Sequence, residues 1–274
     1  MDTNTPKGLS TGFIKTIALT CMFVDHFAAS VVLRLMSDMN HPVMVALGEL
    51  FGTSGAFETY QVMATVYRCM RNIGRISFPI YCFFIVEGFL RTRSRKKYAR
   101  RLAVCALLSE IPFDLALFGK IIYLGHQNVF FTLLLGMLAI WVIDTFMNKK
   151  DWKNGKKIWL STLCGFCFYL AAELMFTDYS SYGVTAIVLM YFARRVLEQK
   201  IKLWPPIVFA VGTAVLCLLS LGEAWAFMAL PFFFFYQGKK GWNAKWFFYL
   251  FYPVHLLLLG ITSICLDVQA FVIF

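Results

Sequence analysis

An acid and an imidazole, Asp25 and His26, stand side by side in the middle of the first apolar run of this sequence, residues 13–36. Ionisable groups at bilayer depth cost a few kcal/mol or more each and usually mark a functional site facing protein interior. Two further runs carry such groups: Glu110 with Asp114 in one, His255 in the other. With a helical rise of about 1.5 Å per residue, His26 lies roughly 16 Å beyond Lys15, Glu110 roughly 14 Å beyond Arg101 and His255 roughly 15 Å beyond Lys245. Three separate segments thus place proton-handling groups at similar depth, near the centre of a core about 30 Å thick. A neutral imidazole, with an ordinary pKa near 6.5, suits the removal of a proton from an amine or hydroxyl nucleophile. Asp25 diverges from His26 by about 100° around the helix, so its expected role is to fix a neighbouring group rather than its own histidine.

Around these groups the sequence places further polar side chains. Asp114 lies one helical turn beyond Glu110 on the same face, with Pro112 between them. Arg68, Arg71 and Arg75 are spaced i, i+3, i+7 and form one basic stripe on a helix. Arg75, inside an apolar run, needs a carboxylate partner or a solvated cavity, and Asp114 is at a suitable level to be that partner. Asn128 opens the next apolar run, while Glu87, Asp144 and Glu223 read as solvated groups near span ends. Residues 91–101 hold seven positive charges, among them Arg93, Arg95, Lys96 and Lys97. Such density anchors a span on the cytoplasmic side, and it also suits the phosphates of a soluble ligand or of lipid heads.

The elements that carry these groups are those of an all-α polytopic membrane protein. Of 274 residues, 59% are hydrophobic and only 15% charged, with a mean hydropathy of +0.67; soluble domains average about 25% charged. Apolar segments fall at 13–36, 72–90, 102–119, 129–147, 158–176, 182–197, 203–221, 223–236 and 246–266, a bundle of about nine spans, give or take one, since 223–236 is short for a span and could be half of a re-entrant pair with 203–221. A cytoplasmic N-terminus puts 21 of the 26 Lys and Arg on the inner side and the C-terminus outside. The net charge of +11 therefore reflects membrane orientation and not nucleic-acid binding. The chain reads as one transmembrane domain, 1–274, with 37–71 as an outer loop. The first run is too long and too polar at its centre for a cleaved signal peptide. Cys164 and Cys167, spaced CxxC in an apolar run, read as packing residues, and no metal site is expected.

Taken in order, several motifs resemble the TraX family. They are Val24-Asp25-His26; Ile73-Gly74-Arg75 with Phe78-Pro79; Glu87-Gly88-Phe89 before the basic run; Glu110-Ile111-Pro112-Phe113-Asp114; Gln127-Asn128-Val129-Phe130; and Tyr252-Pro253-Val254-His255. The resemblance covers about 13–260, while 148–220 matches only in hydrophobic character. That family is named for a conjugative-pilus protein that N-acetylates pilin in the bacterial inner membrane. The resemblance implies a multi-pass protein of the bacterial cytoplasmic membrane that moves an acetyl group from cytoplasmic acetyl-CoA to an acceptor at or beyond the bilayer. An amine is favoured over a hydroxyl, and a peptide, a pilin N-terminus or a small molecule would serve. His26 would be the general base and Asp25 its positioning neighbour. Glu110, Asp114, Arg71, Arg75 and His255 would shape the acceptor side, Asn128 would donate to the thioester oxygen, and Arg93, Arg95, Lys96 and Lys97 would meet the CoA phosphates. A proton-coupled transporter relaying through His26, Glu110 and His255 is the alternative.

Overall fold

The computed structural model describes residues 8–241 and 245–266, and within them the chain is all helical. Helix α1 spans Thr11–Leu35 and is capped by Ser10, whose hydroxyl accepts the Phe13 N–H. Two residues after His26 it widens into a π-helical turn, Ala28–Val32, a device common at functional sites. Helices α2 (Pro42–Phe51) and α3 (Ala56–Gly74) occupy the stretch expected to be a loop. After the Arg75–Ile76 break, α4 (Ser77–Arg91) continues inward as the second part of one long apolar unit. Gly74 allows α3 to reach α1, since a Cβ there would lie 2.2 Å from the Asp25 carboxylate.

Next come α5 (Arg95–Phe118), α6 (Val129–Met147), α7 (Asn154–Leu174) and α8 (Ser180–Leu197). Pro112 sits inside α5, which stays one helix through it. Helix α9 (Trp204–Cys217) is followed by a 3₁₀ helix, Leu221–Ala229, and the short α10, Leu230–Phe234, which pack back against α9 as a hairpin. Helix α11 (Lys245–Cys265) lies against α5. Among the described residues, five helical units are long and apolar enough to cross a membrane. Segments 203–221 and 223–236 form this hairpin, the re-entrant alternative to two spans; the 14 residues of α9 rise only about 21 Å against a core of about 30 Å.

Two loops reach into the bundle and shape its interior. Beyond α5 the chain turns back among the helices, held where Asp114 Oδ2 accepts the Tyr123 N–H (2.7 Å). It descends until Asn128 donates to the Ala106 carbonyl (2.8 Å), halfway along α5. Asn128, fully buried, also caps α6 by accepting the Phe130 N–H. The N-terminus of α6 therefore begins deep among the helices rather than at a surface. Gln127 pairs with the second loop, exchanging backbone bonds with Phe176 and Asp178. In that loop Phe176, Tyr179 and Ser180 all have positive φ (51°, 59° and 44°). Such conformations cost of order 1–3 kcal/mol each and persist where surroundings enforce them; Tyr179 is held by stacking on Phe78 at 3.7 Å.

Candidate functional site

The depths read from the sequence bring His26 and His255 together. His26 Nδ1 and His255 Nε2 are 2.7 Å apart, with the rings stacked at 5.0 Å. Both are buried. The other nitrogen of His255, Nδ1, lies 2.7 Å from the Phe251 carbonyl, which can only accept. For neutral rings this fixes the tautomers. His255 carries its proton on Nδ1 and accepts on Nε2; His26 donates from Nδ1; and the lone pair of His26 Nε2 stays free. Ser30, in the π-helical turn, donates to the His26 carbonyl (2.5 Å), and Ser263 donates to the Ser30 carbonyl (3.2 Å). The turn thus ties α1 to α11 just where the two imidazoles meet.

Two cavities of about 440 Å³ each lie here, one lined by His26 itself and the other by Tyr252, which packs on His26; they are called outer and inner after the orientation expected from the sequence. The outer one is lined by His26, Asp25, Arg71, Arg75, Asp178 and His126, with Tyr67, Tyr123 and Tyr179 among its aromatic walls. Its arginines are neutralised: Arg71 binds Asp25 (2.7 Å) and Arg75 binds Glu223 (2.8 Å). The inner cavity is lined by Lys15, Arg91, Arg101 and Lys240, with Phe84, Phe248 and Tyr249 forming aromatic walls and Met22 and Tyr252 at its deep end. No carboxylate lines it, and only Arg91 of the four has a carboxylate partner among the described residues, Glu87 at 2.6 Å. Lys15 rests over the Phe84 and Phe248 rings (5.2 and 5.9 Å), and Arg101 lies over Tyr98 with its Nε lacking an acceptor. The segment 8–12 closes the edge of this mouth by backbone bonds to 235–240. The Tyr252 ring packs edge-on against His26 at 5.6 Å, so one contact separates the two spaces.

Several expected placements differ. Asp114 does not meet Arg75; it accepts the Tyr123 N–H, and the partner of Arg75 is Glu223, carried on the hairpin tip. Glu223 is thus buried rather than solvated. Glu87 and Asp144 are likewise buried, bound to Arg194 (2.6 Å) and to Tyr191 (2.6 Å) and Arg95 (2.7 Å) respectively. Glu110 is held by the Asn128 side chain, and no hydrogen bond among the described residues joins it to either imidazole. The Asn128 amide gives its hydrogens to Glu110 and to the Ala106 carbonyl, leaving none for a substrate oxygen. Arg93, Lys96 and Lys97 are exposed and do not line the inner cavity, and Arg95 is engaged by Asp144. Lys15, Lys240 and Arg101, the last residue of the basic run, do line it. Arg68 points to solvent and donates to the Thr65 hydroxyl. A buried arginine, Arg34, donates to the Leu115 and Ala116 carbonyls in the last turn of α5; the Leu115 carbonyl also accepts the Gly119 N–H.

At the rim of the outer cavity His126 faces Asp178 at 3.7 Å and stacks against Phe113. Burial lowers its pKa, but the hydrogen bond and charge of Asp178, with Glu110 and Asp114 behind it, outweigh this and hold it above the ordinary imidazole value.

Comparison with known proteins bears on this arrangement. The family model described as TraX protein matches residues 10–263, a range that includes both imidazoles and the lining of both cavities. The chain belongs to the TraX family. One relative of this TraX chain is the probable fimbrial assembly protein FimC, serogroup H1, of Dichelobacter nodosus. It is 30% identical over 271 residues, covering 90% of this chain and 92% of the relative. No solved structure matches. The TraX family is linked to pilin acetylation, and the apolar helices make this member a membrane protein.

Proposed function

We propose that this protein is an acetyl-CoA-dependent acetyltransferase of the bacterial cytoplasmic membrane, acting on an amine presented from the outer side. Amines are favoured over hydroxyls, and a peptide N-terminus, such as that of a pilin, is the acceptor that the family link and the fimbrial relative favour. The carrying observation is that a polar outer cavity lined by His26 and a basic inner cavity lined by Tyr252 are separated by the contact of those two rings alone, beside an imidazole nitrogen left without a partner among the described residues. Lys15, Arg101 and Lys240 suit the CoA phosphates, and the aromatic walls between them suit its pantetheine arm. In the outer cavity His26 Nε2 takes the proton of the attacking amine. The imidazolium so formed is stabilised through its Nδ1–H by the lone pair of His255 Nε2. Asp25, bound to Arg71, fixes α3 against α1 and keeps the His26 backbone in register.

The orientation that fits is a cytoplasmic N-terminus, with the α9–α10 hairpin entering and leaving on the inner side. The nine expected segments then reduce to seven spans and a hairpin, with the C-terminus still outside and the basic loops still inside. A relay of protons from His26 through Glu110, which a transporter would need, has no supporting contact among the described residues.

Calorimetry with acetyl-CoA and the detergent-purified chain tests this reading. Micromolar binding is expected, weakened at least tenfold by Lys15→Gln with Arg101→Ser and little changed when Arg93, Lys96 and Lys97 are all replaced by Ser. Absence of binding by the unaltered protein would sink the proposal.

A further inference from the structure

The wall between the two cavities contains a polar atom with no part in the proton transfer to His26. Tyr252 is 2% exposed, and its hydroxyl makes no hydrogen bond of normal geometry. Its ring is clamped edge-on by His26 (5.6 Å), His255 (5.6 Å) and Phe130 (5.1 Å). The backbone N–H of Val129 approaches the same hydroxyl oxygen. As the first residue of α6, Val129 has no helical acceptor for that N–H. Both residues line the inner cavity at its deep end. A hydroxyl whose own proton has no acceptor, an amide directed at its oxygen and the positive end of a 19-residue helix therefore converge beside His26.

We infer that the Tyr252 hydroxyl, its oxygen held by the Val129 N–H, is the oxyanion donor for the thioester carbonyl. This rests on the acetyltransferase reading and adds to it the group that takes the developing charge. The amine lone pair forms the N–C bond, and the carbonyl π pair moves onto the oxygen held by the Tyr252 hydroxyl. The amine proton passes to His26 Nε2. As the oxyanion collapses the C–S bond breaks, and the thiolate leaves as CoA thiol with the proton from His26. Acetyl-CoA and amine become acetamide and CoA. Asn128 serves the same site indirectly: by capping α6 and binding Ala106 it sets where the Val129 N–H points.

Tyr252→Phe removes the donor and keeps the ring. The test uses the full-length chain with acetyl-CoA and hydroxylamine, whose acetohydroxamate product needs no knowledge of the natural acceptor. We expect the wild type to accelerate the reaction. Tyr252→Phe should lower kcat roughly 100- to 1,000-fold, the usual loss for one such donor, with acetyl-CoA affinity unchanged. The infrared band of ¹³C-carbonyl acetyl-CoA bound to the wild type supplies a check that depends on no variant, and it should shift to lower frequency than that of free acetyl-CoA. Retention of kcat within threefold, no acceleration by a wild type that binds acetyl-CoA, or an unshifted bound carbonyl overturns the oxyanion site while leaving donor binding intact. Absence of acetyl-CoA binding overturns both readings together.

Discussion

The two cavities are alike in volume and opposite in electrostatic design. The outer one holds charges in pairs, with Arg71 on Asp25 and Arg75 on the buried Glu223. The inner one holds cations with little to balance them, since Lys15 and Arg101 have no carboxylate partner among the described residues. A buried charge persists in a membrane only when paired or when something else compensates it. The paired cavity is complete by itself and offers shape, a base and a single less tightly held carboxylate, Asp178. The unpaired cavity is incomplete and suits an anion. On the proposed reading, that contrast assigns the donor to the inner cavity and the acceptor to the outer one.

Removing His26 should break the comparison most sharply, because the base belongs to the outer cavity and the donor to the inner. His26→Ala is expected to lower acetyl transfer by about 10³-fold, within the range for general bases, while acetyl-CoA affinity measured by calorimetry stays within twofold. Equal loss of both would mean that the cavities are one site. Next in size is the pair that anchors the outer side. Arg75→Met leaves Glu223 buried and alone, and should cost about 3 kcal/mol in thermal or denaturant unfolding. Adding Glu223→Leu should restore much of it. If the double variant is no more stable than the single, the pair is not a closed unit.

The helical class and the depth of the imidazoles were legible in the sequence because both depend on local quantities: apolar run length and rise per residue. His26 and His255, 229 positions apart, were placed at one level and do touch. Partner assignments were less legible, because they depend on how segments fold back. Glu223 looked like a span-end group until the hairpin carried it to Arg75, and Asp114 was at the right level but is turned to the loop before α6. The depth of the α6 N-terminus was hidden for the same reason, although Asn128 before an apolar run is a standard helix-start signal. Lys15 was read as a flank because sequence cannot show that its neighbours are rings and not water.

The inner cations give the third test. Lys15→Gln with Arg101→Ser removes two unbalanced charges, so acetyl-CoA should weaken by about 2 kcal/mol, some thirtyfold. The wild-type affinity should also fall with added salt more steeply than that of the variant, because exposed parts of phosphate contacts are screened. Identical salt slopes would say that the phosphates bind elsewhere, with the exposed Arg93, Lys96 and Lys97 the next group to change.

The smallest effect belongs to the outer rim and carries a definite sign. His126 has its folded pKa raised by Asp178, Glu110 and Asp114 despite burial. A raised histidine contributes stability that is fully present below its unfolded pKa, near 6.5, and is lost as pH rises through the folded value. Unfolding temperature should therefore decline slightly from about pH 6 upward, and His126→Gln should flatten that decline. The side chain is 40% exposed, so solvent screens the contribution and a shift of only about a degree or two is expected. Because Asp178 lines the outer cavity, loss of the His126 charge also frees the one carboxylate there without a guanidinium partner among the described residues. An amine acceptor, cationic until it reaches His26, should then bind more tightly in His126→Gln at about pH 6 than in the wild type. If its KM is the same in both, Asp178 does not hold the acceptor, and the acceptor side of the comparison rests on His26 alone.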